Sequence, residues 1–370
     1  MPEVGLTFAL LLFAFTSMAY ANNNPVWQHW SKDKIASFTN GYRSDVADFN
    51  QDNLPDFIVT SLYGNAVNVY LNDGNGKFAT VVSPLGADGA DLREVAAGEL
   101  DGKPGLDFVV ADFKNDSVYL YTNNGATPTP AFTRTTLPTD IASPNGAQSI
   151  SLSDLDGING LDIVLASQNY RDRIYVYLND GAGNFTQSRI YDGDNYSLFE
   201  ITVADVSGDD IPDIIAGDLG STAGRNFWLK GNGDGTFQAG LNPYATEATD
   251  LPSLQTADFN GDSTNDIFAI SKTELYWFEN NGTGSFTEHL INPGEPIIDN
   301  GSQGNVADID GDGDIDILMG SESDVIWYEN NGLGSFTKQQ ISSGFELINA
   351  VNAVDFDGDN SPDIAVVDRV

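Results

Sequence analysis

The chain has 370 residues, and 54 Asp and Glu against 16 Lys and Arg give it a formal net charge of −38. This charge argues against nucleic acid and anionic membranes as partners, because both require a basic surface. Cysteine is absent, which excludes disulfides, thiol nucleophiles and thiolate metal sites. Hydrophobic residues make up 41% of the chain, which is enough for a packed core.

The first predicted element is a secretion signal over residues 1–21. Leu6 to Phe15 form an apolar run that is too short to span a membrane, and Ala19 to Ala21 match a small-residue cleavage site. Glu3 departs from the pattern, since a basic residue usually stands there. The sequence predicts cleavage near Ala21, a mature chain of residues 22–370, and an extracellular, cell-surface or periplasmic location without membrane insertion.

An acidic loop then recurs seven times at intervals of 47 to 55 residues. Each copy spans nine residues, with oxygen-bearing side chains concentrated at positions 1, 3, 5 and 9. We number the copies loops 1 to 7, at residues 48–56, 99–107, 154–162, 205–213, 258–266, 308–316 and 355–363. This period indicates a repeat architecture that forms one body, whatever the total length.

The loops have the chemistry of calcium sites. Ca²⁺ takes six to eight oxygen ligands, and alternate side chains of a tight loop can converge on it. Positions 1, 3, 5 and 9 would supply side-chain oxygens and position 7 a backbone carbonyl. The loops lack the Glu at position 12 and the flanking helices of an EF-hand. Asp, Asn and Gly also make good turns without a metal, but seven copies in one nine-residue frame favour calcium.

The predicted ligands form five strong sites and two weaker ones. The strong sites are Asp48, Asn50, Asp52, Leu54 and Asp56; Asp205, Ser207, Asp209, Ile211 and Asp213; Asp258, Asn260, Asp262, Thr264 and Asp266; Asp308, Asp310, Asp312, Asp314 and Asp316; and Asp355, Asp357, Asp359, Ser361 and Asp363. The weaker sites are Glu99, Asp101 and Asp107 in loop 2, and Asp154, Asp156 and Asp162 in loop 3. Position 5 of these two loops is Lys103 or Ile158.

Four strands are predicted around each loop. In the third repeat, Ser149 to Ser153 alternates polar and apolar residues, and Ile163 to Ala166 is a short apolar run. Arg173 to Leu178 then predicts a third strand, and the Gly-rich segment Asn179 to Phe185 predicts a hairpin to a fourth. The Phe that closes such hairpins is interpreted as a core residue.

The fold class follows from the residues that precede the loops. Most are small, as expected where inner strands converge on an axis: Ala47, Gly98, Ser153, Ala204, Ala257, Ala307 and Val354. Four-stranded units arranged radially make a β-propeller. We therefore predict an all-β, seven-bladed β-propeller of four-stranded antiparallel blades, forming a single domain over residues 22–370. Its last blade is assembled from both termini, with Val26 to Ser31 as the outer strand. The third strand is missing, which indicates either a chain truncated at Val370 or an incomplete last blade.

Two segments together resemble the FG-GAP/VCBS repeat family, namely Asp308 to Asp316 and Trp327 to Phe336. That family includes the calcium-bearing propeller of integrin α-subunits and many secreted bacterial proteins. The resemblance covers nearly the whole mature chain and implies calcium in the loop between the first and second strands of a blade. Some fungal lectins with similar loops bind sugars between blades, and related propellers occur in polysaccharide lyases, so the activity stays open.

The sequence offers no catalytic motif. His29 and His289 fall at similar positions of the repeat, and no nucleophile motif or phosphate-binding loop is present. A lyase could use residues from the set Arg43, Arg93, Tyr191, Tyr196 and Tyr244. We expect instead a monomeric, non-catalytic binding or adhesion module for carbohydrate or an extracellular protein. A polysaccharide lyase and a purely structural scaffold are the alternatives.

The predicted ligand-binding surface is formed by the segments that connect successive blades, because they vary most between repeats. They are Ser83 to Asp91, Thr136 to Ala147, Ile190 to Leu198 and Gly240 to Pro252. The aromatic residues Trp277, Phe278, Trp327 and Tyr328 are interpreted as core packing.

Overall fold

In the computed structural model, all regular elements of the described residues are β-strands. The described residues are 7–15, 18–21, 24–27, 30–39, 41–62, 66–74, 77–82, 91–138, 146–158, 160–168, 172–193, 198–219, 226–245, 248, 250–271, 274–292, 303–321 and 323–369. Among them no helix is long and apolar enough to cross a membrane.

Four strands precede loop 1. They are β1 (Thr7–Phe15), β2 (Met18–Ala21), β3 (Asn24–Trp27) and β4 (Trp30–Thr39). β2 and β3 pair as a two-stranded sheet, and β1 pairs with β4.

Six blades follow, and each consists of four consecutive antiparallel strands. Blade 1 has β5 (Gly41–Ala47), β6 (Asp56–Ser61), β7 (Val67–Asn72) and β8 (Phe78–Val82), and blade 2 has β9 (Leu92–Gly98), β10 (Asp107–Asp112), β11 (Ser117–Asn123) and β12 (Phe132–Thr136). Blade 3 has β13 (Ala147–Ser153), β14 (Asp162–Ser167), β15 (Arg173–Asn179) and β16 (Phe185–Asp192), and blade 4 has β17 (Leu198–Ala204), β18 (Asp213–Asp218), β19 (Phe227–Leu229) and β20 (Asn242–Pro243). Blade 5 has β21 (Ser253–Ala257), β22 (Asp266–Ile270), β23 (Leu275–Asn280) and β24 (Phe286–Leu290), and blade 6 has β25 (Asn305–Ala307), β26 (Asp316–Gly320), β27 (Asp324–Asn330) and β28 (Phe336–Ser343).

The remaining sheet is composite, because it joins the two ends of the chain. The C-terminal strands β29 (Ile348–Val354) and β30 (Asp363–Arg369) combine with the N-terminal strands in the order β29-β30-β1-β4. The described residues therefore form six continuous blades and not the seven that the sequence predicts, because the seventh repeat pairs with the N-terminal strands in this composite sheet.

The expectation that the composite sheet lacks its third strand is corrected by the position of β1. β1 pairs with β30 from Phe8 opposite Arg369 to Phe13 opposite Ile364. Without a neighbour, the backbone N–H and C=O groups on the outer edge of β30 would lack partners, and pairing with β1 provides them. The residues of β1 are among those that the sequence pattern assigns to a secretion signal. The outer strand is β4 (Trp30–Thr39), which overlaps the predicted Val26 to Ser31 only at Trp30 and Ser31.

The hydrophobic core is divided into seven clusters, each shared by two neighbouring sheets. The second strand of each continuous blade is buried along its whole length, as the apolar runs predict. One cluster joins blade 6 to β29 and β30, and another joins these two strands to blade 1 through Phe356 and Phe57. The first strands of successive sheets also contact one another from β5 around to β29 and back. The sheets therefore form a closed ring.

The aromatic residues lie where the sequence interpretation placed them. Trp277, Phe278, Trp327 and Tyr328 are buried. The Phe that closes each hairpin packs against a core cluster between blades, for example Phe132 between blades 1 and 2.

The loops of the ring lie on two opposite faces. In an antiparallel blade the connections between strands 1 and 2 and between strands 3 and 4 leave from the same end. The acidic loops and the Gly-rich hairpins thus share one face, which we call the loop face. The connections between blades lie on the opposite face, so they do not share a surface with the acidic loops. Of these connections, residues 83–90, 139–145 and 194–197 lie outside the described residues.

Candidate metal centres

Each acidic loop begins directly after a first strand and ends on the first residue of a second strand. The residue at position 9 therefore belongs to the sheet, as Asp56 does in β6 and Asp316 in β26. Position 1 lies at the other end of the loop, outside the sheet. The loop is short enough that the side chains of both ends approach each other.

The carboxylate at position 1 organises the backbone of the loop. In loop 6, Asp308 Oδ1 accepts hydrogen bonds from the N–H groups of Gly311 at 2.7 Å and Asp312 at 3.1 Å, and its Oδ2 accepts from Gly313 at 3.1 Å. Loops 1, 4, 5 and 7 repeat the bonds from positions 5 and 6. Position 6 of these five loops has a positive φ, between 62° and 97°. Asn, Asp, Ser and Gly occupy it, and Gly, Asn and Asp are the residues that adopt this region most readily.

Loops 2 and 3 follow a different backbone path from the other five loops. Position 6 of loop 2 is Pro104, which has no N–H to donate to Glu99. The positive φ occurs one residue later, at Gly105 in loop 2 and at Gly160 in loop 3. Position 6 of loop 3, Asn159, lies outside the described residues.

The carboxylate at position 9 is a buried anchor between loop and sheet. Asp56 accepts the N–H of Phe49 at 2.9 Å on one oxygen and the N–H of Asn72 at 2.8 Å on the other. The same pair of bonds occurs in all six continuous blades. Burial raises the pKa of Asp56 and Asp316 to about 7. A carboxylate has about four acceptor sites, so position 9 keeps acceptor capacity for an ion.

An asparagine at the end of the third strand links neighbouring blades, and the sequence interpretation treated it only as a turn residue. Asn179 Nδ2 donates to the carbonyl of Leu100, at position 2 of the preceding loop, at 3.0 Å. It also donates to Leu161 of its own loop at 3.1 Å. The equivalents are Asn72, Asn123, Asn280 and Asn330, with inter-blade distances of 2.6 to 2.9 Å. Its recurrence as the first residue of the hairpin is the sequence pattern that marks it.

The oxygen atoms of the loops fit a divalent cation. In loops 2, 3, 6 and 7, three carboxylate oxygens lie within 4.8 Å of one another. Oxygens on opposite sides of Ca²⁺ are separated by about twice the metal–oxygen distance of ~2.3–2.6 Å, so this spacing suits the ion. The groups are Glu99, Asp101 and Asp107; Asp154, Asp156 and Asp162; Asp308, Asp310 and Asp316; and Asp355, Asp357 and Asp359.

Hydrogen bonds among positions 3, 5 and 7 recur from loop to loop. In loops 1 and 5, position 3 is Asn, and its amide donates to the carboxylate at position 5, from Asn50 to Asp52 at 2.9 Å and from Asn260 to Asp262 at 3.3 Å. In the five strong loops the N–H of position 7 also donates to that carboxylate. Coordination by the position-7 carbonyl stays a prediction.

Two loops contact a lysine ammonium. Lys103 Nζ lies 2.6 Å from Asp101 in loop 2, and Lys230 Nζ lies 2.9 Å from Asp209 in loop 4. Lys230 belongs to no acidic loop, because it follows β19, and its approach to loop 4 is not evident from the nine-residue pattern.

A groove lies on the loop face between blades 2 and 3. Its volume is about 350 Å³. Blade 2 contributes Glu99, Leu100 and Gly102, and blade 3 contributes Gly160, Asn179, Asp180 and Gly181. The groove combines carboxylates and backbone groups, and the first residues of acidic loop 2 form part of its wall.

Of the described residues that a lyase could use, Arg43 and Arg93 both lie near Tyr42, whereas Tyr191 and Tyr244 lie between other blades. Arg43 is buried at the ring axis, and Tyr244 is buried between blades 4 and 5. Tyr191 packs against Phe227 of blade 4, and His289 stacks on Trp277 with ring centroids 4.5 Å apart. Tyr196 and His29 lie outside the described residues.

Comparisons with known proteins agree with this architecture. A family model described as FG-GAP-like repeat matches residues 48–103, 154–216, 258–319 and 308–366. No curated protein matches the chain in a sequence comparison. Among solved structures, the chain is similar to an Agrocybe aegerita lectin that specifically recognises non-reducing terminal N-acetylglucosamine, with 20% identity, coverage of 91% of this chain and 90% of the lectin, and a TM-score of 0.58. It is also similar to BBS1N in complex with ARL6DN, with 12% identity, coverage of 88% and 91%, and a TM-score of 0.56.

Proposed function

The chain belongs to the FG-GAP-like repeat family, and from that premise we propose that it is a secreted, calcium-stabilised β-propeller that binds carbohydrate without catalysing a reaction. Calcium would be held by the acidic loops and would neutralise their carboxylates. The ligand would bind on the loop face, where these loops and the Gly-rich hairpins lie together.

The groove between blades 2 and 3 is the observation that carries the proposal. A volume of about 350 Å³ lies within the range of small-molecule sites, roughly 300–1,000 Å³. Its carboxylate groups, from Glu99 and Asp180, suit the many hydroxyl groups of a sugar. The similarity to a lectin supports the same class of ligand.

A glycan array tests the ligand class, with calcium-loaded protein and with protein treated with EDTA. We expect calcium-dependent binding to a defined sugar, and terminal N-acetylglucosamine belongs in the panel. Shortening of a polysaccharide during incubation would contradict the non-catalytic assignment and favour a lyase. Absence of binding across the panel would contradict the carbohydrate assignment and favour a protein ligand.

A matched pair of variants tests the groove. Asp180→Asn removes a charge from the groove but keeps the turn, since Asn281 and Asn331 occupy this position in blades 5 and 6. A hydrogen bond to a charged group contributes ~1.5–3 kcal/mol, so we expect sugar affinity to fall about tenfold or more. Asp73→Asn makes the same change in the hairpin of blade 1 and serves as the control. Equal effects of both variants would place the ligand elsewhere.

Chelation tests the role of calcium separately from the ligand. Removal of a ligand that binds only the folded state lowers stability by mass action, and the loop carboxylates would then repel one another. We expect EDTA to lower the melting temperature strongly and added Ca²⁺ to restore it. An unchanged melting temperature would contradict calcium stabilisation, whatever the glycan array shows.

The secretion part of the proposal rests on the apolar run and the Ala19 to Ala21 cleavage pattern. Cleavage there would remove β1, whose pairing with β30 completes the composite sheet. N-terminal sequencing of protein exported by cells expressing the full chain shows whether residues 7–15 are removed with a secretion signal or retained as strand β1. A start near Asn22 supports secretion, whereas an intact N-terminus contradicts it.

A further inference from the structure

The last residue before the inter-blade asparagine lies beside the acidic loop of its own blade. In blade 5 this residue is Glu279, which accepts a hydrogen bond from Asn260 of loop 5 at 3.4 Å. In blade 6 it is Glu329, whose charge contributes to the raised pKa of Asp310 in loop 6. The charge at this third-strand position therefore acts directly on the predicted metal ligands.

The residue type at this position differs from blade to blade. It is Leu71 in blade 1, Thr122 in blade 2, Leu178 in blade 3, Lys230 in blade 4, Glu279 in blade 5 and Glu329 in blade 6. Blades 5 and 6 thus add a carboxylate to their loops, and blades 1 and 3 add no charge. Blade 4 adds a positive charge.

The ammonium of Lys230 lies among the carboxylates of loop 4. Its Nζ is 2.9 Å from Asp209, and the side chain is only 28% exposed. Lys230 therefore forms an ion pair with Asp209, the position-5 carboxylate that the sequence pattern assigns to this calcium site.

Loop 2 has a lysine contact from within the loop, although the Lys103 side chain is 67% exposed. Lys103 Nζ is 2.6 Å from Asp101. The ammonium thus contacts one of the three carboxylates, Glu99, Asp101 and Asp107, that could converge on an ion.

We propose that lysine replaces calcium in two of the seven loops, Lys230 in loop 4 and Lys103 in loop 2, so that Ca²⁺ binds only in loops 1, 3, 5, 6 and 7. The ammonium supplies the positive charge that the carboxylates require, and it donates hydrogen bonds to the oxygens that would coordinate the ion. Ca²⁺ could enter only after the ammonium leaves, since two cations cannot share one set of ligands. This inference rests on the calcium binding proposed above and revises loop 4 from a strong site to a metal-free one.

Metal analysis of variants tests the inference. Lys230→Leu introduces the residue type of blades 1 and 3, and Lys230→Glu introduces that of blades 5 and 6. After dialysis against Ca²⁺, we expect each variant to hold one more Ca²⁺ ion per chain than the wild type. Lys114→Leu removes a positive charge from an exposed turn on the opposite face, so we expect it to leave the number unchanged. An unchanged number in both Lys230 variants would overturn the inference.

A crystal of the unaltered protein grown with Ca²⁺ provides a test that requires no variant. Anomalous scattering would locate each ion. We expect ions in loops 1, 3, 5, 6 and 7 and an ordered ammonium in loops 2 and 4. An ion between Asp205, Asp209 and Asp213, with Lys230 displaced, would overturn the inference, as would ions in none of the loops. Neither measurement uses a sugar, so the inference and the carbohydrate assignment can fail independently.

Discussion

The asparagine at the end of the third strand joins three parts of the structure. The side chain of Asn280 donates to Val206 of the preceding blade at 2.9 Å and to Asn265 of its own loop at 3.0 Å. Its backbone N–H donates to Asp266, the position-9 carboxylate, at 2.7 Å. Because Asn280 is buried, water cannot replace these bonds when the side chain is removed.

Asn280→Ala should therefore destabilise the protein by about 1–3 kcal/mol, the cost of leaving buried hydrogen-bonding groups unsatisfied. Asn281→Ala is the matched control, since Asn281 is the next residue and is exposed, and its side chain bonds only within the hairpin. Urea unfolding at saturating Ca²⁺ measures both. Equal destabilisation would show that the inter-blade bonds contribute little.

At the scale of single residues, the sequence predicted the positions that carry oxygen but not the partners of those oxygens. Alternate spacing was sufficient to find positions 1, 3, 5 and 9 of each loop. One of the two backbone N–H groups that Asp56 accepts belongs to Asn72, at the end of the neighbouring strand β7. The contact of Lys230 with loop 4 likewise depends on the pairing of strands, which a linear pattern of nine residues does not contain.

At the scale of the elements, the acidic loops differ in how closely they approach the next blade. Position 4 is Gly208 in loop 4 and Gly311 in loop 6, with φ values of 75° and 76°. A Cβ atom on Gly208 would overlap the carbonyl oxygen of Gly282 in the hairpin of blade 5, whereas a Cβ on Gly311 would meet nothing within 4 Å. Gly208 is thus required both by its backbone conformation and by inter-blade packing.

The comparison of Gly208→Ala with Gly311→Ala separates these two requirements. Both variants place alanine in the left-handed region, at a cost of ~1–2 kcal/mol. Gly208→Ala should cost a further ~1–3 kcal/mol, because the hairpin of blade 5 must move. Thermal unfolding at saturating Ca²⁺ provides the measurement. A Gly208→Ala variant as stable as Gly311→Ala would contradict the close packing of loop 4 on blade 5.

The sequence predicted the four-stranded blade well, because the apolar runs and the Gly-rich hairpins are local patterns. The second strands are fully buried, as the run Ile163 to Ala166 indicates. The connections between blades were harder to interpret. Their variability predicted a binding surface, and the antiparallel meander places that surface on the face opposite the acidic loops.

At the scale of the whole molecule, a buried arginine links three blades across the ring axis. Arg43 of blade 1 is 1% exposed, with its Nε 3.6 Å from Glu94 of blade 2 and a terminal nitrogen 3.5 Å from Glu200 of blade 4. Ser149 donates to Glu200 at 2.9 Å, and Asp45 accepts the N–H of Ala97 at 2.8 Å. Three carboxyl groups thus share the axis with Arg43, and the Arg93 guanidinium lies nearby with its partners Asp91 and Gln148.

These carboxyl groups should make stability depend on pH. Burial raises the pKa of Glu94 from 4.5 to about 8, against the opposing charge of Arg43, and burial also raises that of Glu200 to about 7. Above the ordinary pKa of glutamate, Glu94 and Glu200 therefore keep protons in the folded protein that they release in the unfolded chain. The part of the free energy of unfolding that comes from Glu94 and Glu200 is present at low pH, and it is lost as the pH rises from about 4.5 to about 8.

Glu94→Gln should reduce this loss, because glutamine does not titrate. Melting temperatures between pH 5 and pH 8, at saturating Ca²⁺, should fall less steeply with rising pH than in the wild type. Glu346→Gln, at an exposed position, should leave the slope unchanged. Parallel slopes for wild type and Glu94→Gln would show that Glu94 has the same protonation in the folded and unfolded states.

The use of both chain ends in one sheet was predicted from the incomplete last repeat, but the contribution of residues 7–15 was not. An apolar run near the N-terminus has the same composition whether it directs secretion or forms a strand. Only the register of β1 on β30 identifies it as a partner for the C-terminal strand.

The uneven charge of the loops affects how the ring would open when calcium is withdrawn. Loop 6 brings together five aspartates and adds Glu329 from β27, whereas loop 4 is in contact with the positive charge of Lys230. Repulsion would then be greatest in blade 6, which packs on the composite sheet that holds both chain ends. We expect amide hydrogen exchange to rise there first, so that the closed ring becomes an open arc of blades before the remainder unfolds.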